Sequence, residues 1–424
     1  MYNIKLHSNT LDMQFFRRYL KKIGKAYAVQ ARSCNALSYS RNSVILGIET
    51  SCDDTGCAVI DGTGSILGES LYSQIAVHTR YGGVNPLVAH ELHRDNIDIA
   101  VAEALDKAGK TIKEIDAIAV TTRPGLLMSL QIGAKYANYL SRMHSIPLIP
   151  VHHMEAHALV ARMYYDLQFP FLVLLISGGH CLLSLVKDVN DFLLLGKGLD
   201  NAPGEVLDKV ARRMKLKNIP EYSRICGGRA VELAAHKSTN PGLFEFPSPL
   251  LRYRDCNFSF SGLKDSLERK LLKKESEHNV MGDEIIPEVN DLCAAFQLAV
   301  AEHLAHRTQR AILFCESNKL INPDNRVIVV SGGVACNDFI FKSIEFIGNK
   351  MGYNTYRPPP RVCTDNGVMI AWNGLEKLKK QCDIRTNFSL KEVDPEAPLG
   401  INFISEVKAA NIQTKITRLK NMCL

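Results

Sequence analysis

Val44-Ile-Leu-Gly-Ile-Glu-Thr-Ser-Cys-Asp-Asp-Thr-Gly-Cys-Ala-Val-Ile-Asp61 is two apolar runs joined by a short polar turn. A turn at Gly62-Thr-Gly64 and a third run, Ser65-Ile-Leu-Gly-Glu-Ser70, follow it. Apolar runs this short, bounded by turn residues and rich in Val and Ile, predict strand, turn, strand, turn, strand. The same order returns later. An apolar run over 169–176 meets Ser177-Gly178-Gly179-His180, then Cys181-Leu-Leu-Ser-Leu-Val186, Val189-Asn-Asp191 and a last run over 192–195. Helical patterns follow each triplet, at 95–108 and 203–214, and a further strand follows each helix, at 117–121 and 326–330. This predicts an α/β chain in which one β-meander-plus-helix unit is used twice. A chance likeness of two hairpins is the competing reading.

The chain has 424 residues, of which 46% are hydrophobic and 22% charged. That composition excludes disorder as the main theme, because a sizeable core can be buried. It also excludes a membrane helix, since the run over 169–176 stops far short of the ~20 apolar residues a span needs. The formal charge of +7 is not spread evenly: residues 1–42 hold eight Lys or Arg against the single acid Asp12, and the rest of the chain is balanced. Phe15, Phe16, Leu20 and Ile23 interleave with Arg17, Arg18, Lys21 and Lys22, which predicts a basic amphipathic helix. An Arg-, Lys- and Ser-rich leader almost free of acid has the composition of a mitochondrial transit peptide; a basic arm that touches RNA is the alternative. The 12 cysteines are scattered without a CxxC pair, which suits a reducing compartment rather than a disulfide framework.

Four motifs carry chemistry. In His152-His153-Met154-Glu155-Ala156-His157, His153 and His157 are i and i+4, so on a helix they share one face with Cβ atoms about 6 Å apart. Such a pair can clamp a metal ion or can be two satisfied core histidines. Glu155 stands two places after His153, about 200° round a helix of 3.6 residues per turn. A zinc-protease helix needs Glu directly after its first His, so that route is disfavoured. Ser177-Gly178-Gly179 and Ser331-Gly332-Gly333 each follow an apolar strand, and Gly227-Gly228 lies between them. Turns of this kind let backbone N–H groups approach a phosphate or nucleotide. No P-loop and no strand-preceded GxGxxG is present. Cys363-Thr364-Asp365-Asn366-Gly367 suits a turn or helix cap, or an acidic ligand presented from a loop. Asp208 in Gly204-Glu-Val-Leu-Asp-Lys209 sits in an ordinary amphipathic helix pattern; an acid facing a ribose is the sharper option.

Six stretches in this order resemble the tRNA threonylcarbamoyladenosine transferases, a family once called O-sialoglycoprotein endopeptidases. They are Ile48-Glu49-Thr50-Ser51-Cys52-Asp53, His153-Met-Glu-Ala-His157, Leu175-Ile-Ser-Gly-Gly-His180, Phe258-Ser-Phe-Ser-Gly-Leu-Lys264, Ser331-Gly-Gly-Val334 with Asn337, and Cys363-Thr-Asp-Asn-Gly367. The resemblance runs from about Val44 to Asn373, and with the basic leader it is to the mitochondrial branch. It implies a duplicated actin/Hsp70/sugar-kinase-like fold with a nucleotide cleft between two halves. It further implies transfer of a threonylcarbamoyl group from threonylcarbamoyl-AMP to N6 of adenosine 37 in the anticodon loop of tRNAs reading ANN codons, with release of AMP. By matching position, His153, His157 and Asp365 would hold one divalent ion, zinc or iron. Leu175, Ile176, Ser177, Gly178, Gly179, Asp208, Gly228, Glu232, Cys336, Asn337 and Thr364 would line the adenylate site. Asp54, where many members have Glu, is the candidate for steering or accepting the amine's proton. Arg123, Leu87 and Cys336 also depart from the family pattern, Cys336 replacing a serine hydroxyl. Mitochondrial members imply a homodimer without further subunits.

The expected organisation is a transit peptide over 1–42, a first actin-like half over 43–150, a second half with helical insertions over 151–400, and a frayed polar tail over 401–424. Basic residues for tRNA would be Arg212, Arg213, Lys215 and Lys217, or Arg252, Arg254 and Lys264. The competing functions are an actin-like ATPase or kinase, which would need phosphoryl-transfer carboxylates and magnesium, and a non-enzymatic nucleotide-binding scaffold.

Overall fold

The computed structural model describes residues 39–81, 83–415 and 418–419. The leader helix expected at 15–23 and nearly all of the transit segment lie outside the described residues. In chain order the strands are β1 Val44–Glu49, β2 Asp54–Asp61, β3 Ile66–Ser73, β4 Ala117–Arg123, β5 Leu148–His152, β6 Phe171–Ile176, β7 Cys181–Asp188, β8 Asp191–Lys197, β9 Val327–Ser331, β10 Asn354–Tyr356 and β11 Ile401–Asn402. The helices are α1 Ile75–Tyr81, α2 Pro86–Lys107, α3 Leu127–His144, α4 His153–Leu159, α5 Pro203–Arg213, α6 Gly227–His236, α7 Ser261–Glu277, α8 Val289–Ser317, α9 Asp338–Lys350, α10 Pro360–Cys363, α11 Gly367–Lys379 and α12 Ile404–Ala409.

The first sheet has the order β3-β2-β1-β4-β5 and the second β10-β9-β6-β7-β8-β11. In the first, β1, β2 and β3 pair antiparallel and β1, β4 and β5 parallel. In the second, β6, β7 and β8 pair antiparallel and β6, β9 and β10 parallel. One topology is therefore built twice, with β11 added at the far edge, and this is the duplicated actin-like α/β fold. Each parallel pairing needs a crossover. The first half makes its crossover with α2, whereas the second carries α5 to α8 between β8 and β9.

The central strands are apolar up to their carboxyl ends because both faces are covered. All six residues of β1 are buried. Leu46 and Ile48 join Val59, Val120, Ile97, Val101, Leu130 and Ala134 in the core beneath α2 and α3. By the two-residue period of a strand, Ile45 and Gly47 face the other way, and there they meet α11. A Cβ on Gly47 would lie 2.4 Å from the Gly367 carbonyl oxygen, and one on Gly374 2.4 Å from the Ala119 Cβ. Helix and sheet are thus in backbone contact across glycines.

Three local expectations change. Strand β5 is additional to the expected strands; it contains Pro150 and lies at the sheet edge, where proline is tolerated. It carries the first sheet through His152, past the boundary expected at 150, and α11 returns to that sheet from deep within 151–400. Helix α2 begins at Pro86 rather than 95, because the Asn85 side chain caps it, accepting from the backbone N–H of Leu87 at 3.1 Å and of Val88 at 3.4 Å. The frayed tail expected over 401–424 does not hold for its described part. Ile401-Asn402 adds a parallel strand to β8, the Phe403 N–H donates to the Leu194 carbonyl at 2.8 Å, and Phe403, Val407 and Leu419 are buried. The open edge of β8 and these apolar side chains account for the order.

Candidate active site

The loops that follow β1, β6 and β9 all leave the carboxyl ends of central strands, the usual crevice for ligands in α/β sheets. Helix α4 starts where β5 ends. His152 caps it, its Nδ1 accepting from the Met154 N–H at 3.2 Å, and all seven helical residues are buried. The i, i+4 spacing places the rings of His153 and His157 edge to face, with centroids 4.6 Å apart. Asp365 reaches them from the loop before α11, whose first turn is capped by Asn366 accepting from the Met369 N–H at 2.9 Å. Asp365 Oδ1 lies 3.1 Å from His157 Nε2 and 3.5 Å from His153 Nε2. One donor atom from each residue falls within 4.8 Å of the others.

These residues fit a divalent ion. Two imidazole nitrogens and a carboxylate oxygen are the donor types of a catalytic zinc-type site. Bonds of 2.0–2.1 Å in tetrahedral geometry put neighbouring donors about 3.3 Å apart, and the two contacts to Asp365 bracket that value. The far nitrogen of His153 is held as well. Its Nδ1 lies 3.2 Å from Glu49 Oε2 and 3.1 Å from Ser51 Oγ. Glu49 is fully buried at the end of β1, and it accepts from the Ser51 N–H and the Thr121 hydroxyl at 2.5 Å each. A carboxylate behind a histidine fixes its tautomer and leaves Nε2 free to ligate.

The electrostatics follow from burial opposed by facing charges. Burial resists ionisation of Asp365, yet His153 and His157 hold it far below the ordinary carboxylate range. Burial also disfavours a charged His153, but Asp365 and Glu49 outweigh it and raise the imidazole to about 9. His157 goes down with its burial, and burial lowers His180 to about 4. The His180 ring stands 6.4 Å from that of His153, so the turn after β6 meets the histidine helix. Asp54, at the start of β2, is pushed up to about 7 by burial, with Asp53, Asp365 and Glu49 adding to the shift, and its Oδ1 has no partner.

The other expected residues gather along the second sheet. Leu175 and Ile176 are fully buried in β6, so only their backbone can face a ligand. Ser177 Oγ accepts from the N–H groups of Gly179 and His180, and a Cβ on Gly178 or Gly179 would meet nothing within 4 Å. The N–H of Gly204 in α5 donates to the Ser177 carbonyl at 3.1 Å, which sets the start of that helix on the turn. Asp208 accepts from the Gly228 N–H at 3.0 Å, and burial raises its carboxyl. Glu232 and Asn337 are both engaged within the protein. Glu232 accepts from the Asp338 N–H at 2.7 Å and from Arg229 at 2.5 Å; Asn337 caps α9 through the Ile340 N–H and donates to Gln297. Thr364 lies beside Gly333, and Cys336 beside Cys363 and the Pro360 carbonyl.

The expected residue list left out Glu49, Ser51, Thr121 and His180. An acid closing an otherwise apolar strand, Ile48-Glu49, was the available signal. Two members of the basic cluster at 212–217 are engaged within the protein. Arg213 is tied to Glu268 and Glu275, and Lys215 donates to the carbonyls of Gly282 and Glu284, yet the groove here is lined by Lys209, Arg212, Arg213, Lys215 and Lys264 against Asp265 and Glu268 and so stays basic.

The fold and site define a two-lobed actin-like α/β protein with a His₂Asp donor set beside the strand ends. The family model for tRNA N6-adenosine threonylcarbamoyltransferase matches residues 65–372. The mitochondrial tRNA N6-adenosine threonylcarbamoyltransferase of Danio rerio is 49% identical over 381 residues, covering 90% of this chain and 94% of that one. The protein of the same name from Homo sapiens is 47% identical, covering 89% and 91%, and the probable one from Drosophila melanogaster 45%, covering 88% and 93%. The chain belongs to the tRNA N6-adenosine threonylcarbamoyltransferase family, and it is a transferase of tRNA modification.

Proposed function

We propose that the protein moves the threonylcarbamoyl group of threonylcarbamoyl-AMP to N6 of adenosine 37 in mitochondrial tRNAs that read ANN codons, releasing AMP. The observation that carries this reading is the convergence of His153, His157 and Asp365 beside the open Ser177-Gly178-Gly179 turn. The donor is an activated mixed anhydride, so no protein nucleophile is required. The task is to hold a weakly nucleophilic amine against the carbonyl in line with the departing AMP. The Ser177, Gly178 and Gly179 backbone, following the buried Leu175 and Ile176, cradles phosphate, while Asp208 with Gly228 faces the ribose. Glu232 and Asn337 brace the helix starts around that site, and Cys336 and Thr364 close its other side. A carboxyl poised near neutrality can take a proton at working pH, and Asp54 accepts the one that leaves N6. A divalent ion, zinc or iron, held by His153, His157 and Asp365 supplies charge stabilisation at phosphate and carbamoyl oxygens when bound.

The protein works in the mitochondrion, in the matrix where its tRNAs are, with residues 1–42 as the targeting segment. Among the described residues no helix is long and apolar enough to cross a membrane. Two copies pair through the first lobe, where Ile75, Tyr81, Leu87, Leu127, Tyr139 and Met143 stand exposed on α1 to α3. Unmodified anticodon-loop bases are splayed and accessible, so adenosine 37 enters without melting a duplex. The test mixes the mature chain with threonylcarbamoyl-AMP and mitochondrial tRNA and reads the nucleosides by mass. Modified adenosine that disappears in His157→Ala is expected; its absence beside an active control enzyme refutes the reading.

A further inference from the structure

The donor set is divided between two short-range frames. His153 and His157 ride on α4, and Asp365 is anchored by the N-terminal cap of α11. A seven-residue helix does not hold its own geometry in water, so the distance between the histidines and the aspartate is set by whatever fixes α4 against α11. The structure points to Glu155. It lies on the face of α4 turned away from the donor atoms, and its Oε2 is 3.3 Å from Nζ of Lys377 on α11. Lys377 is fully buried. Its ammonium also donates to the Pro150 carbonyl at 3.1 Å, on the strand that leads into α4, and to Asp383 at 3.0 Å. Lys377 thus makes two hydrogen bonds and one ion-pair contact, Glu155 Oε2 itself accepting no hydrogen bond among the described residues. Two further contacts reach α11: Trp372 Nε1 donates to the Leu159 carbonyl at the end of α4 at 3.0 Å, and Arg162, in the turn just past α4, pairs with Glu376 at 3.0 Å.

We propose that Glu155 and Lys377 are positioning residues that staple the histidine helix to the aspartate helix and so set the metal-binding geometry. A buried ion pair is a poor source of net stability, because desolvation offsets most of the attraction. Its best-attested use is to select one arrangement among several packings of similar energy. Here the arrangement selected is the one with Asp365 Oδ1 at 3.1 and 3.5 Å from the two Nε2 atoms. A shift of α4 by even 1 Å would take one donor out of bonding range. The motif's glutamate thus serves the ion from behind rather than as a base in front of it.

The inference rests on the reading that His153, His157 and Asp365 bind an ion, and the experiment separates the two. Cobalt(II) alone is titrated into the full chain, with affinity measured by chelator competition and geometry by the visible ligand-field spectrum. His157→Ala must abolish the tight site; if it does not, the metal reading itself falls. The neutral pair Glu155→Leu with Lys377→Met removes both charges of this contact but also takes a donor from the Pro150 carbonyl and from Asp383; it is expected to fold with a lower urea midpoint and to bind cobalt 10-fold or more weakly with an altered spectrum, the range typical for supports behind a ligand. A folded double variant with parent affinity and spectrum overturns the staple while leaving the metal site standing. If the double variant does not fold, Glu155→Gln is measured in the same way: a 10-fold weaker site upholds the proposal and an unchanged one overturns it.

Discussion

Replacing Glu49 with Gln keeps the volume of a fully buried side chain and removes its charge. Two consequences can be worked from the geometry. Glu49 Oε1 accepts from the Ser51 N–H, while Oε2 accepts from Thr121 and faces His153 Nδ1 at 3.2 Å. An amide has one oxygen. If it serves His153, its NH₂ faces the Ser51 N–H; if it serves Ser51, its NH₂ faces the imidazole N–H. In the first orientation the Ser51 N–H is left without an acceptor, and in the second the imidazole N–H keeps only the Ser51 hydroxyl at 3.1 Å, so the change costs up to about 1–3 kcal/mol of stability. His153 also loses the carboxylate that fixes its tautomer, and losing such a support weakens metal binding by about 10- to 100-fold, or roughly 1.4–2.8 kcal/mol at 1.4 kcal/mol per decade. Zinc affinity by competition with a chromophoric chelator and a urea melt of the metal-free protein measure the two effects separately. Zinc affinity within twofold of the parent in Glu49→Gln would refute the reasoning that Glu49 holds His153 for the ion.

With Asp54 as proton acceptor, kcat/KM climbs as pH rises through about 7, because burial lifts this carboxyl to that value and only its ionised form takes a proton. In Asp54→Asn the rise should vanish and the rate should fall by about 10²–10⁴-fold; a profile that keeps its shape speaks against the assignment. Gly47→Ala forces a Cβ to within 2.4 Å of the Gly367 carbonyl oxygen. Overpacking of this kind costs about 1–3 kcal/mol, visible as a lower urea midpoint, and no shift would mean that α11 can back off the sheet freely. Ending the chain at Gly400 strips β11 and the buried Phe403 and Val407 from the edge of β8. The truncated protein should melt earlier than the full chain, whereas a merely frayed tail would leave the melting temperature where it was.

Much of the scaffold was legible because its signals are local. Strand triplets at 44–70 and 169–195 announce themselves through period and turn residues, and the doubled topology bears out the repeat. The shared face of His153 and His157 follows from helical spacing alone. Elsewhere the local signal was misleading or mute. Strand β5 contains Pro150, and nothing nearby says that a strand will lie at a sheet edge. A polar composition past residue 400 hid three buried apolar side chains, since their partners, β8 for Phe403 and α8 for Leu419, lie more than 100 residues upstream. Within the basic cluster, Arg213 turns out to face Glu268 and Glu275, which α7 brings from more than 50 residues away.

Taken by itself, the sequence determined the duplicated strand order, the histidine pair and the direction in which Glu155 leaves its helix, because each depends on dihedral geometry over a few residues. Only the tertiary structure decided what those side chains meet. Asp365 comes to His157 across 208 positions, Glu49 to His153 across 104 and Lys377 to Glu155 across 222. Contacts of that span are selected by how α11 packs against the glycine face of the first sheet, where whole layers of apolar surface are buried together. That packing is a property of the complete core, which no short window of residues contains.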